Sequence, residues 1–361
     1  MDFTNEVLNT IIEKMDYNRL YSGYLYAMSL DDSLLGIDRY KKRSDRILNC
    51  MDYWLWDIYH QNKVMDLKKV NRCMDSRFCP NCRKFSLASC IHNFSPSFKK
   101  LLQDGYYPYL LTLTVPNVRG NALRDTIKNM NKSFRKFFQK FSQPVGTNLT
   151  GFKHRKITFD ACLKVLEITY NSKVNTYHPH FHIIIFSKEY DENLFQKCSA
   201  GAFSNKRNSY SYYSSLDLHI MKIWKMCYDN VRFSDKNYFS MSDNWYDLYL
   251  CDIKEMNEKG IYEVLKYTFK DTDIVNYNVF KDLFLALDGQ RIRQGHGLLY
   301  NLKVEEVEEG EKQNIEDYLE KDKKEIPVAN VATEIKSLIS AYHDYKKISR
   351  FRAYEDFNKL D

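Results

Sequence analysis

A chain of 361 residues, 44% hydrophobic and 28% charged, is long enough to bury a full core and to divide into two domains. No apolar run reaches the eighteen or so residues of a membrane span, and the opening "MDFTNEVLNTIIEKMDY" is acidic and amphipathic, unlike a secretory signal. The net charge of +7 is concentrated: residues 63–156 carry 19 Lys/Arg against 4 Asp/Glu, the footprint expected for a partner with a phosphate backbone.

In chain order, residues 1–62 read as a helical N-terminal extension, with the Trp/Tyr-rich "MDYWLWDIYH" assigned to core. Residues 63–104 hold a cysteine cluster. "YPYLLTLTVPN" (107–117) reads as a strand ending in a Pro-Asn turn. In 121–142, Leu123, Ile127, Met130, Phe134, Phe137, Phe138 and Phe141 step by three and four, which predicts an amphipathic helix. Its polar surface is left to Arg124, Lys128, Lys132, Arg135, Lys136 and Lys140. "CLKVLEITY" (162–170) alternates as a strand, "NSKVNT" turns, and "HFHIIIF" returns antiparallel to it. Residues 190–256 mix helical and strand signals, and 257–273 read as a short helix. Residues 301–327 form an acidic linker, with 10 acidic against 5 basic side chains in 303–325, and 328–361 are expected to end the chain as a helix. The order strand–helix–strand–strand–helix predicts an α+β domain over 105–300, with helices flanking an antiparallel sheet.

The first chemistry-bearing pattern is "YHPHFHIIIF" (177–186). His178, His180 and His182 share one face of a strand, spaced closely enough for two imidazoles to reach one ion. Hydrolytic and phosphoryl-transfer ions also want carboxylate oxygen. The preceding strand offers it at Glu167, between Leu166 and Ile168, where an unpaired carboxylate would be costly. A lone buried histidine is more often a hydrogen-bonded core residue; an H-x-H beside a strand-buried Glu favours a metal. Two His and one Glu leave open positions on an octahedral Mn²⁺ or Mg²⁺, as a Lewis acid acting on a phosphodiester needs. Pro179 breaks the ladder beside His178, which is held as a reserve ligand.

In "GIYEVLKYTFK", Glu263, Tyr267 and Lys270 fall on one helical face. A tyrosine oxygen can attack phosphorus to form a covalent intermediate. Lys270 would steady the phenolate or the phosphate, and Glu263 would serve as a general base. An ordinary amphipathic helix shows such a pattern as well, so its weight comes from the metal motif.

"CMDSRFCPNCRKFSLASC" places Cys73, Cys79, Cys82 and Cys90 within eighteen residues, around a CPxC pair. Nine cysteines at uneven spacing in a chain this long read as reduced thiols or metal ligands in a cytoplasm, and here the pattern favours structural Zn²⁺. His92 is a substitute for Cys90. The expected role is to staple a DNA-contacting segment bearing Arg72, Arg77, Arg83 and Lys84.

These residues resemble the plasmid rolling-circle replication initiators of the HUH endonuclease superfamily, in the branch that pairs a catalytic Tyr with a Glu. "LLTLTVPN" (110–117), "HPHFH" (178–182) and "YEVLKYTFK" (262–270) are similar to that family's three motifs. The Cys73–Cys82 stretch and "GQRIRQGHG" (289–297), with Arg291 and Arg293 as DNA contacts, are similar to softer family segments. The resemblance implies a ferredoxin-like (RRM-like) sheet carrying His180 and His182, with the Tyr267 helix beside it. It implies attack by Tyr267 on one phosphodiester in a single-stranded hairpin of the plasmid double-strand origin, with retention of the 5′ phosphate and release of a priming 3′ hydroxyl. Glu263 would activate water for termination. A host helicase and DNA polymerase would be the partners, in a bacterial cytoplasm and without a membrane, and a homodimer stays open.

A conjugative relaxase carries its tyrosine before the histidines, whereas Tyr267 follows His182 by 85 residues. A rolling-circle transposase is the nearer rival, but Tyr262 and Tyr267 lie five apart on different helix faces, and Glu263 fits an initiator better. A zinc-stabilised DNA-binding regulator without chemistry is the rival from another class, and it predicts salt-sensitive binding with no cleavage.

Overall fold

In a computed structural model, the described residues are 3–34, 37–51, 53–59, 64–142, 157–190, 195–204, 209–241, 247–257, 260–261, 264, 271–300, 331–337 and 347–348. The chain divides into two units, one comprising residues 1–88 and 305–361, the other residues 89–304.

The first unit opens with strand β1 (Phe3–Thr4), then α1 (Asn5–Met28) and α2 (Ile37–Leu48) pack as a helical hairpin. Tyr40, Ser44 and Ile47 are buried along one face of α2, the spacing that an amphipathic helix presents to a partner. Ser44 and Ser22 hydroxyls bond across the helices at 2.9 Å. Next come β2 (Tyr53–Tyr59) and β3 (Val64–Val70), an antiparallel pair with a register shift at Leu55/Trp56. Where a helical stretch is expected over 1–62, the chain forms α1 and α2 and then strand β2. The reason is local: "YWLWDIY" is aromatic and β-branched, a composition suited to a pleated surface.

Helix α3 (Pro80–Gln103) starts on a proline, whose missing N–H costs nothing at a first helical position. It closes through Gly105 at φ 82°, with Tyr106 N–H donating back to the Leu101 carbonyl at 3.0 Å.

The second unit is built on β4 (Tyr107–Thr114), α4 (Gly120–Ser142), β5 (Ala161–Asn171) and β6 (Thr176–Ser187). A hairpin of β7 (Lys197–Ser204) and β8 (Ser209–Ser214) follows, then α5 (Ser215–Tyr228), α6 (Asp235–Phe239), β9 (Cys251–Glu255), α7 (Tyr277–Leu287) and β10 (Arg293–Gly297). Five strands form one antiparallel sheet in the order β10-β5-β6-β4-β9. Directly opposed residues share a face, so the register sorts the side chains into two sets. Leu166, Phe181 and Leu113 point to the face covered by α4 and α5, where Phe134 and Trp224 pack on Phe181 at 5.8 and 6.4 Å. The α4 residues predicted for the core are buried, apart from Phe138 at the margin. Glu167, His180, His182 and Phe186 point the other way, and there Phe98 of α3 stacks on Phe186 at 5.4 Å.

Asp217 locks α5 to this sheet. Its Oδ2 accepts from the Ser214 N–H at 2.7 Å, completing a capping box, while Oδ1 accepts from the Ile253 N–H of β9 at 3.0 Å. The observed architecture is thus α+β, with helices flanking a five-stranded antiparallel sheet.

The chain returns to the first unit as β11 (Val331–Ser337), antiparallel to β2, and β12 (Lys347–Ile348), antiparallel to β1. This corrects the terminal helix expected over 328–361. "VATEIKS" sets β-branched residues at alternate positions, a period of two that outweighs the helical spacing read over the longer window. Residues 301–330, the acidic segment, lie outside the described residues.

Candidate metal centre and nucleic-acid interface

The register of β5 against β6 places Glu167 directly opposite His180 and Val165 opposite His182. Glu167 Oε2 lies 3.4 Å from His180 Nε2 and 2.9 Å from His182 Nε2, and one ligand atom from each residue falls within 4.8 Å of the other two. Adjacent ligands around an ion at about 2.1 Å are separated by about 3.0 Å in octahedral and about 3.4 Å in tetrahedral geometry, so the three donors are spaced to share one divalent ion. The rings are held from behind. His180 Nδ1 is 3.1 Å from the His178 carbonyl, which fixes the N–H there and turns Nε2 toward the carboxylate. His182 Nδ1 lies 3.2 Å from the Thr112 hydroxyl of β4.

Burial alone would raise the Glu167 carboxyl, but hydrogen bonds from His180 and His182 outweigh it and hold the group down at about 2. His178 stands beside the triad, its ring stacked on His180 at 5.1 Å and its Nδ1 2.7 Å from Asn117 Oδ1. Burial, then the charge of His180, lowers it to about 4, so it is neutral near pH 7. With Asn117, Tyr170 and Lys173 it borders a shallow cleft of about 490 Å³.

Cross-strand pairing extends the triad's row across the sheet, as Arg293–Val165–His182–Thr112–Asp252. Arg293 is therefore on the metal face, half-buried, and Arg291 nearby is exposed. Helix α4 covers the opposite face. Its exposed Lys128, Lys132 and Arg135 thus sit on the side of the sheet away from the triad, and Lys136 Nζ donates to Asn230 Oδ1 at 2.5 Å. Lys128 also meets Asp125 at 3.5 Å.

Tyr267, Glu263 and Lys270 lie outside the described residues. In the same stretch Gly260, Ile261 and Val264 are helical, and Ile261 is buried.

The cysteine cluster takes a different membership from the one the spacing predicts. Cys73, Cys79 and Cys82 converge with Cys50, and all four are buried. Hydrogen bonds from Cys50, Cys73 and Cys79 hold the Cys82 thiol far below its ordinary range. Cys90 is not one of the four: it lies eight residues beyond Cys82 on α3, about 12 Å along the axis, and burial pushes its thiol up. His92 is likewise absent from the group. Helical rise accounts for the change, since residues eight apart on one helix cannot meet at one ion. Of the basic residues assigned to DNA here, Arg72 is half-buried with its guanidinium 3.6 Å over the Phe85 ring, Arg77 and Arg83 are half-buried, and Lys84 is exposed.

Thr112 and Cys50 are the residues that spacing passes over. Thr112 lies inside "LLTLTVPN", on the alternation that faces His182, so strand pairing would have found it. Cys50 is a single cysteine in "LNCMDY", with no local partner to mark it.

Residues 64–347 match the family described as Replication protein. A Protein rep from a Bacillus species is 27% identical over 292 residues, covering 76% of this chain and 84% of that protein. One from Bacillus amyloliquefaciens is 26% identical, covering 75% of each. One from Staphylococcus aureus is 31% identical over 209 residues, covering 57% of this chain and 73% of that protein. No solved structure matches the chain. No helix among the described residues is long and apolar enough to cross a membrane. With a family match over most of its length, the chain belongs to the Replication protein family, as a plasmid Rep initiator.

Proposed function

We propose that this replication protein is a metal-dependent DNA nicking and joining enzyme, an HUH endonuclease of the Tyr–Glu branch that starts and ends rolling-circle replication at a plasmid double-strand origin. The observation that carries the reading is the convergence of Glu167, His180 and His182 on one sheet face. With the β7–β8 hairpin and α6 as insertions, the path β4–α4–β5–β6–α5–β9 and the strand order β9-β4-β6-β5 support the ferredoxin-like form of the domain.

Mn²⁺ or Mg²⁺ held by these three residues would polarise the scissile phosphate when bound. Thr112 and the His178 carbonyl orient the two imidazoles, and Arg293, on the same face, offers a cation to the strand's phosphates. Tyr267 attacks the phosphodiester. Its oxygen–phosphorus bond forms as the bond to the 3′ oxygen breaks, the phenolic proton passes to solvent or base, and the 3′ oxygen leaves as a hydroxyl. Glu263 later takes a proton from water, which hydrolyses the phosphotyrosine bond and releases the 5′ phosphate. Lys270 steadies the phenolate. The setting is a bacterial cytoplasm, the substrate a single-stranded hairpin of the origin, the partners a host helicase and DNA polymerase, with a homodimer compatible. Zn²⁺ on the cysteine cluster is the structural cofactor of this reading.

The test is incubation of the full chain with Mn²⁺ and labelled origin hairpin oligonucleotides. A covalent protein–DNA adduct is expected, absent in Tyr267→Phe, and Glu263→Ala should form it yet fail to release DNA by hydrolysis. Salt-sensitive binding without any adduct would favour the non-catalytic regulator instead.

A further inference from the structure

We infer that Cys50, Cys73, Cys79 and Cys82 form a closed four-thiolate zinc site whose fourth ligand is supplied from just beyond the helical hairpin α1–α2, outside the stretch that matches the replication family. The inference deepens the zinc reading of the cluster and is independent of the nicking reading.

Two segments separated in sequence, Cys50 and the Cys73–Cys82 stretch, bring the sulfurs together. Sγ of Cys50 lies 3.4 Å from that of Cys79 and 3.6 Å from that of Cys82, and Cys73 and Cys82 are 3.6 Å apart. Four thiolates at about 2.3 Å from a tetrahedral zinc would be spaced about 3.8 Å from one another. All four are 5% exposed or less, and none is in a disulfide. Four polarisable sulfurs packed against each other in a buried interior are suited to a soft metal ion. The backbone is arranged for thiolates: Cys82 N–H donates to Cys79 Sγ at 3.5 Å, Asp75 N–H to Cys73 Sγ at 3.4 Å, and Cys73 N–H to Cys50 Sγ at 3.5 Å. Arg72, half-buried beside the cluster, supplies a positive charge toward Cys82, Cys50 and Cys79, offsetting the net negative charge of a Zn(Cys)₄ centre.

Cys50 is placed deliberately rather than by chance contact. Met51 N–H donates to the Asn71 carbonyl at 2.7 Å, and the Asn71 side-chain amide donates to the Asn49 carbonyl at 2.7 Å, bracketing the cysteine. From α2, Arg46 donates to the Cys73 carbonyl at 2.5 Å and Arg43 pairs with Asp75. Met51 at φ 70° and Met74 at φ 60° each follow a ligand directly, in a left-handed conformation that a bulky residue adopts only when its surroundings enforce it. Tetrahedral all-sulfur donors select zinc or iron over harder ions.

The test is zinc and iron content of the purified full chain after dialysis against chelator, with cobalt substitution read by absorption. The wild type should retain about one zinc per chain and, with Co²⁺, give the sulfur-to-cobalt charge-transfer band of a tetrahedral all-thiolate site. Cys90→Ala and the double variant His180→Ala/His182→Ala should keep both, and Cys50→Ser should lose both. Should Cys50→Ser fail to fold, Cys50→His restores a ligand and should hold zinc with a weakened charge-transfer band. Zinc retained in full by Cys50→Ser, zinc lost from Cys90→Ala, an all-thiolate spectrum unchanged in Cys50→His, iron in place of zinc, or a wild-type chain without metal would each overturn the assignment. None of these outcomes depends on whether the protein cleaves DNA.

Discussion

Glu167 and His180 stand directly opposite one another on β5 and β6, and the carboxylate oxygen that faces His180 Nε2 at 3.4 Å also faces His182 Nε2 at 2.9 Å. One carboxylate thus bridges both histidines of an H-x-H pair. The arrangement depends on register: a slip of one residue would send Glu167 to the face covered by α4 while the histidines stayed where they are. The apolar ladder pins that register, because Leu166, Phe181 and Ile183 must remain in the core on the far side.

Glu167→Ala is expected to weaken Mn²⁺ binding by at least about tenfold, because it removes the only carboxylate of the donor set. Calorimetric titration of the metal reads this directly. Unchanged affinity would move the third ligand to His178, whose ring already stacks on His180 at 5.1 Å.

Thr112→Val removes the hydroxyl 3.2 Å from His182 Nδ1 while keeping the side chain's shape. Groups that orient a metal-bound histidine typically contribute about 10–100-fold in metal affinity or activity, and the low end is expected here because the partner is a neutral hydroxyl. The same titration checks it, with circular dichroism to show that the strand is intact. Equal affinity in the variant would mean that β6 alone fixes the ring.

Much of this site is legible in the chain. The alternation of "CLKVLEITY" and "HFHIIIF" and the intervening turn determine an antiparallel pair, and pairing brings Glu167 to the histidines. The α4 stripe is equally plain, because period 3.6 with seven apolar positions admits no other packing face. What local pattern cannot supply is contact between distant segments. Cys50 and Cys82 meet only because α2 lies against the Cys73–Asp75 segment, a tertiary fact, whereas Cys90 is nearer in sequence but about two helical turns further along α3. Strand β11 was hidden for a related reason: seven residues of period two sit inside a window whose average looked helical, and their pairing partner β2 is about 280 residues away. The placement of α4's cations on the face away from the triad was hidden too, since amphipathicity reveals which side of a helix is buried but not which side of a sheet it covers.

Lys164 gives a pH test of the core. It is 1% exposed on β5, with Nζ 2.5 Å from Asn131 Oδ1 and over the rings of Phe134 and Phe181 at 5.1 and 4.6 Å. Burial lowers its pKa from 10.5 to about 7, with Arg135 and Arg291 adding to the effect against a partial counter from Cys162. Between those values the unfolded chain binds a proton that the folded one does not, so this residue's contribution to stability rises with pH, by up to about 1.4 kcal/mol per unit. Below about pH 7 both states carry the proton and the contribution levels off. Lys164→Met should therefore flatten the rise in denaturant midpoint between pH 7 and pH 9.5 relative to wild type. Parallel profiles for the two proteins would show that Lys164 stays charged in the fold.

The position of the α4 cations lets two proposed kinds of DNA contact be told apart. Lys128, Lys132 and Arg135 are exposed on a helix that covers the sheet face opposite Glu167, His180 and His182, so a strand held at the triad has no direct path to them. On the proposed nicking reading, DNA flanking the nick site would reach them only by passing the sheet edge. Neutralising all three to Gln is expected to weaken binding of a long origin duplex and to reduce the slope of log affinity against log salt by about 0.9 for each phosphate no longer neutralised. The effect should be smaller at Lys128, which already shares charge with Asp125. Cleavage of a short oligonucleotide confined to the nick site should keep its rate, because that substrate touches only the metal face. Salt-titrated binding of the two substrates, measured beside their cleavage, tells the alternatives apart. An equal loss on both would put α4 in contact with the nicked strand itself, and an unchanged slope on the duplex would remove this helix from the DNA path.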